Sequence, residues 1–148
     1  MTDAESQLDS FIAKFSGENQ TLIREVRVAL RNRLPTANEL VYDNYNFFVI
    51  GYCASAKPSH CIVSIAAGPR GVSLSFYHGA ELTDEQGLLS GEGNQNRFIR
   101  LDSAAMLADP GIDALIEQAC HVNVPPLPAS GGRELIIRSV SAKQRPRQ

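Results

Sequence analysis

The segment spanning residues 87–101, GLLSGEGNQNRFIRL, sets glycines at 87, 91 and 93, asparagines at 94 and 96 and an arginine at 97 directly before a short apolar run. That composition suits a phosphate cradle, in which backbone N–H groups of a glycine-rich turn converge on an anion, or a tight turn into a strand. A dinucleotide fingerprint needs a strand, then G-x-G-x-x-G, then a helix whose N-terminus faces the pyrophosphate. Here Gly91-x-Gly93 leads into a strand and position 96 is Asn. A Walker-type loop fails too, because no Gly-Lys-Ser/Thr occurs in the chain. What remains is a turn that delivers Arg97, with an anion-binding nest over residues 91–94, including Gly91, Gly93 and Asn94, as the alternative.

Other candidates follow from strand parity. Arg97 shares a face with Ile99 and Leu101, which puts it at the rim of that face, either as a ligand contact or as an arginine snorkelling to water. His78 continues the phase of Val72, Leu74 and Phe76 and faces the mouth of a cavity, or serves as a structural hydrogen-bonding group. Tyr42, Asn44 and Asn46 run in phase with Phe48 and Ile50, as a pocket wall or as the exposed end of a bent strand. Tyr42, Asn44, His78, Gly91, Gly93, Asn94 and Arg97 are therefore the candidate binding set. No nucleophile-elbow serine, Glu-x-x-His signature or readable Cys/His pair appears, so no catalytic residue is assigned. His60 and Cys61 fall on opposite strand faces and His121 lies at a helix C-terminus, so no metal ligand is assigned and no cofactor is named.

The elements that must position these residues are readable from their periods. Residues 7–34 carry apolar positions at helical spacing, with Leu8, Phe11, Ile12 and Phe15 and then Leu22, Ile23, Val26 and Leu30, divided at Ser16-Gly17 and stopped by Pro35. Three strand candidates follow at 39–52, 61–67 and 72–78, the last two close enough for an antiparallel hairpin. Residues 79–96 form a long connection, with a helical turn at 84–88, into a fourth strand at 97–101. Asp109-Pro110-Gly111 supplies an N-cap and an N1 proline for a helix through His121. The expected organisation is an α+β domain over residues 5–123, a Pro/Gly-rich linker over 124–132, and an edge strand with a disordered basic tail over 133–148.

Composition limits the partners. The 148 residues suit one domain with its own core. The three cysteines suggest neither a disulfide framework nor a zinc ribbon, and reduced, buried thiols are expected. The N-terminus has no signal-peptide pattern and no apolar run reaches the length of a bilayer span, which points to the cytoplasm and away from a membrane. Net charge is −2, but the last 16 residues hold five basic groups against one acidic, leaving the preceding 132 at −6. An acidic body argues against nucleic acid.

Taken in order, Tyr42-Asp43-Asn44-Tyr45-Asn46, the strand ending in Tyr77-His78, G-A-x-L at 79–82, L-L-x-G-x-G at 88–93, R-x-I-x-L at 97–101 and the last helix resemble the YdhG-like family of small bacterial proteins of unknown function. The likeness covers about residues 8–119. It implies a curved antiparallel sheet packed by N-terminal helices and a C-terminal helix. Most members lack an established activity, and some carry an iron-chaperone or frataxin-like label. Many have a lysine where this chain has Asn94, so a lysine-dependent anion site is not implied here. Residues 139–147 look like the basic tail of one subgroup.

The functional expectation is a non-catalytic module binding a small ligand, with an anion as one option. An iron-binding, iron-chaperone-like protein is one alternative, although the helices interleave Asp9, Glu18 and Glu25 with Lys14, Arg24, Arg27, Arg31 and Arg33 instead of forming an acidic ridge. A protein-interaction domain is the other, with a homo-oligomer or a protein partner engaged through the C-terminal tail.

Overall fold

Asp3 and Ser16 start the first two helices by accepting hydrogen bonds from the N–H groups of Ser6 (2.8 Å) and Asn19 (3.3 Å). Helices α1 (Ala4–Ile12) and α2 (Gly17–Arg33) are thus separately capped elements that turn Leu8, Phe11, Ile12, Ile23, Val26 and Leu30 inward. Asp109 caps α3 (Pro110–Ala119) through the N–H groups of Gly111 and Ile112, and this helix buries Ile112, Leu115, Ile116 and Ala119. The computed structural model describes residues 3–131 and 133–148.

Six strands, β1 (Asn38–Asp43), β2 (Phe48–Cys53), β3 (Cys61–Gly68), β4 (Gly71–Phe76), β5 (Arg97–Leu101) and β6 (Leu135–Val140), form one open sheet in the order β5-β4-β3-β2-β1-β6. The α+β class holds. Five strands pair antiparallel, but β6 runs parallel to β1, so the sheet is mixed where a wholly antiparallel one is expected. Parallel pairing needs a long crossover, and residues 102–134 supply it, with Val122, Val124 and Leu127 laid against the core on the way.

Two further expectations are corrected. The single strand expected over 39–52 is a hairpin, because the Asn-rich stretch 44–47 turns the chain and the Asn44 N–H donates to the Phe47 carbonyl (3.0 Å). Val41 then pairs with Ile50 and Tyr42 with Val49, so Tyr42 faces away from Phe48 and Ile50 instead of with them. The tail after Ser141 is not left free either. Ser141 and Arg145 donate backbone hydrogen bonds to the Asp43 and Tyr45 carbonyls (both 2.9 Å), and the buried Arg147 guanidinium donates to Asp43 Oδ1 (2.8 Å) and the Asn44 carbonyl (2.6 Å).

The core lies between the helices and one sheet face, where Phe48, Ile50, Tyr52, Val63, Ile65, Val72, Leu74 and Phe76 meet Phe15 and the helix stripes. Two carboxylates share that side. Glu39, 1% exposed, accepts from Arg27 Nε (2.9 Å) and Nη2 (3.0 Å) and from the Tyr52 hydroxyl (2.8 Å), while Arg27 also reaches Glu5 on α1. Asp43, fully buried, is held between Lys14 Nζ (2.5 Å) and Arg147.

Burial alone would raise the Asp43 pKa, but the hydrogen bonds from Lys14 and Arg147 outweigh it and hold the carboxyl below its ordinary value. A depressed carboxyl pKa contributes stability that is present above the unfolded value, about 3.9, and lost as the pH falls through the folded one. Arg147→Ala is therefore expected to lose about 3 kcal/mol at pH 7, near the low end for breaking a buried pair because Lys14 remains. Its stability is also expected to fall less steeply below about pH 4 than that of the parent chain. Denaturant titrations of both proteins across pH 3–7 check this, and equal stability at pH 7 would show that the tail contact carries no net free energy.

Candidate binding groove

The helices occupy only one face of the sheet. On the other, alternation along β2, β3 and β4 presents Val49, Gly51 and Cys53, then Cys61, Ser64 and Ala66, then Ser75 and, just past the strand, Tyr77. Because the central side chains are small, a groove of about 340 Å³ opens over them, walled by Tyr42, Pro58, Tyr77 and Asn96. That is within the range of small-molecule sites, roughly 300–1,000 Å³. Tyr42, Ser64, Ser75 and Tyr77 are among the lining residues, and Ser75 Oγ donates to Asn96 Oδ1 (2.8 Å). No carboxylate is among the lining residues. Burial pushes the Tyr42 phenol up, while the charge of Arg138 on β6 works in the opposite direction. The groove thus has an apolar floor and neutral polar side chains, and its Tyr42 wall feels the charge of Arg138.

Gly51 lies in the floor of the groove. A Cβ placed on it would stand 3.4 Å from Cys61 Sγ, 3.5 Å from Ser64 Oγ and 3.6 Å from Cys53 Sγ, so two thiols and a hydroxyl gather around the strand position that has no side chain. Cys53 and Cys61 are partners across β2 and β3, both free and both buried, with Leu40, Tyr42 and Ile136 packed around them. Cys61 Sγ lies 3.2 Å from Ser64 Oγ and 3.5 Å from the Val63 carbonyl oxygen. Hydrogen bonds from the Cys53 thiol and the Ser64 hydroxyl bring the Cys61 thiol below its ordinary value, whereas the Cys61 neighbour and burial push Cys53 up.

The residues singled out from the sequence occupy four places. Tyr42 lines the groove. Asn44 sits at the hairpin turn and accepts from Ser139 Oγ (2.6 Å). His78 packs with its Nε2 3.1 Å from the Ser59 carbonyl, edge-on to Tyr77, and its buried Nδ1 is 4.0 Å from Glu81 Oε2. Arg97 folds back on its own loop, donating to the carbonyls of Gly93 (2.6 Å) and Asn96 (2.8 Å). Gly91 adopts φ +115°, a conformation that favours glycine, and Gly91, Gly93 and Asn94 are exposed on this loop. Arg97 is thus engaged in shaping the turn. Ile99 and Leu101 do share the core side of β5.

Gly51, Cys53, Cys61, Ser64, Ala66 and Ser75 have no distinguishing sequence pattern of their own. Their signal was the run of small residues on alternate positions facing the Leu/Ile/Phe stripe of the same strands. A second groove, about 480 Å³, runs between the long connection and α3, past Asp84, Gln86, Gly111 and Gln118. Its polar groups are largely committed: Asp84 accepts from the N–H groups of Leu88 and Leu89, and Gln118 exchanges hydrogen bonds with the Thr83 backbone. Among the described residues, no group of three or more His, Cys, Asp and Glu side chains is placed to hold a metal ion. No described helix is long and apolar enough to cross a membrane. No family model, curated protein or solved structure matches the chain.

The loop bearing Gly91 and Arg97 is held against the sheet by a close approach at Gly79, where a Cβ would stand 2.6 Å from Arg97 Cβ and 2.8 Å from its backbone nitrogen. Because strand backbone cannot yield cheaply, Gly79→Ala is expected to cost about 1–3 kcal/mol. It should also raise amide exchange across residues 79–96 while leaving β2 and β3 protected, as measured by hydrogen–deuterium exchange.

Proposed function

We propose that the chain is a non-catalytic binding module whose ligand lies in the groove on the uncovered sheet face. The ligand this site suits has a slender apolar body, to lie over Gly51 and Ala66, and an anionic end directed to Arg138 and the Tyr42 hydroxyl. One observation carries this reading: a stretch of small residues with no carboxylate in its lining, bordered by a Tyr42 phenol that feels the Arg138 charge. It keeps the anionic option read from the sequence and transfers its charged contact from Arg97, which is bonded to loop carbonyls, to Arg138. The setting is a reducing cytoplasm, with the cysteines free. On the motif order over residues 79–101 we group the chain with the YdhG-like proteins, a grouping that names no ligand. A protein partner engaged by the tail is second in our reading, because Arg145 stacks on Tyr45 and Arg147 is bound by Asp43.

A thermal-shift screen of carboxylated and phosphorylated small molecules tests the proposal. A compound present at 100 times its Kd should stabilise the protein by about 2.7 kcal/mol. We expect Ala66→Leu, which fills the groove, to abolish that stabilisation, Arg138→Ala to weaken it, and Arg97→Ala to leave it unchanged. A hit that survives Ala66→Leu and disappears in Arg97→Ala would overturn the assignment and place the site on the 91–97 loop.

A further inference from the structure

We propose that Cys53 and Cys61 form a reactive dithiol site that a small hydroperoxide oxidises once, stoichiometrically, to an internal disulfide. The geometry comes from strand register. Directly opposed residues of antiparallel strands have Cα atoms about 4.5–5.5 Å apart, within the span of about 4.4–6.8 Å that disulfides occupy. Cys53 and Cys61 are such partners beside the β3 irregularity, and both sulfurs point to the same face, around the Cβ position of Gly51. Closing the bond therefore needs side-chain rotation and little backbone movement. Both thiols are free and line the groove, but they are only 1% and 6% exposed. A reagent with two or three heavy atoms reaches such sulfurs where a peptide or a large disulfide does not, which selects hydroperoxides as the oxidant class.

The roles follow from the surroundings. Cys61 carries the larger exposure and faces the Ser64 hydroxyl, which stabilises a thiolate; Cys53 supplies the second sulfur. In the first step the Cys61 thiolate attacks the peroxide oxygen, the O–O bond breaks, and the alkoxide or hydroxide leaves and takes up a proton. Cys61 becomes a sulfenic acid. In the second, the Cys53 sulfur attacks Cys61 Sγ, the S–O bond breaks, and water departs with the thiol proton of Cys53. Two thiols lose two electrons and the hydroperoxide is reduced to an alcohol and water, or to two waters for hydrogen peroxide. Cys120 offers an internal reference: it is buried at the end of α3, and burial and the charge of Glu117 push its thiol up.

The inference uses the groove only as a route to sulfur and does not need the proposed ligand. The test is to expose the full chain to hydrogen peroxide and follow thiol loss by intact mass and peptide mapping. We expect a Cys53–Cys61 disulfide with Cys120 still a thiol, and reaction at Cys61 at least about tenfold faster than at Cys120, which has no neighbouring thiol to trap a sulfenic acid and whose own thiol is pushed up. In Cys53→Ser the reaction should stop at a sulfenic acid on Cys61 that a 1,3-dione traps, and in Cys61→Ser Cys53 should stay reduced. Circular dichroism of each variant establishes that it is folded. Equal rates at Cys61 and Cys120, a disulfide formed only in denaturant, or one formed between two molecules would each overturn the proposal. Inert thiols in a protein that still gains stability from a groove ligand would end this inference and leave the proposed function standing.

Discussion

Period-two alternation in the central strands β2, β3 and β4 is the constraint on which the molecule depends. It sends Phe48, Ile50, Tyr52, Val63, Ile65, Val72, Leu74 and Phe76 to one face, and each such side chain gains about 1.5–3 kcal/mol when removed from water. All three helices are drawn to that face, because only there does the sheet offer a surface matching Leu8, Phe15, Ile23, Leu30 and Ile116. The opposite face carries glycine, serine, alanine and cysteine at the same depth. It has too little apolar surface to recruit a helix, and the missing bulk is what makes the groove. Packing on one side and a concavity on the other are thus two results of one pattern.

Buried charge fastens this arrangement at two points. Glu39 and Asp43 stand two residues to either side of Val41 and face the helices with it. Glu39 gathers Arg27, Tyr52 and, at 3.9 Å, Arg31, and through Arg27 it ties β1 and α2 to Glu5 of α1. The Tyr52 phenol is pushed well above its usual value by burial and by the Glu39 charge, so it remains a hydrogen-bond donor to that carboxylate. Asp43 performs the same task at the other end of β1, joining the turn between α1 and α2 through Lys14 to the tail through Arg147. Such pairs add little net stability over apolar residues of equal volume, but losing one partner is costly, so they fix which segments lie beside β1.

What was legible in the sequence is what short-range chemistry decides. The break at Ser16-Gly17, the Asp109-Pro110 helix start and the hairpin between β3 and β4 all rest on caps, prolines and glycines acting within a few residues, and the structure has each of them. The turn at 44–47 was missed because the aromatic and β-branched residues around it read as one strand; the asparagines at 44 and 46 were the available signal. Parity then failed for Tyr42, the one predicted site residue that does line the groove. Meeting points set by register lay further out of reach. Cys53 and Cys61 come together only because they are equidistant from Lys57 in the connection between β2 and β3, and Arg147 finds Asp43 across 104 positions. The parallel placement of β6 depends on where a crossover of more than thirty residues lands, which no local pattern encodes.

The central claim is that the uncovered sheet face, and not the glycine-rich loop, is the binding surface. Backbone amide spectra of the ¹⁵N-labelled protein, titrated with small aromatic and aliphatic carboxylates as probes, test it most directly. The account predicts shift changes that cluster at Gly51, Ser64, Ala66, Ser75 and Tyr77 and extend to Tyr42 and Arg138. Changes confined to residues 91–97, or to the groove beside α3, would contradict it.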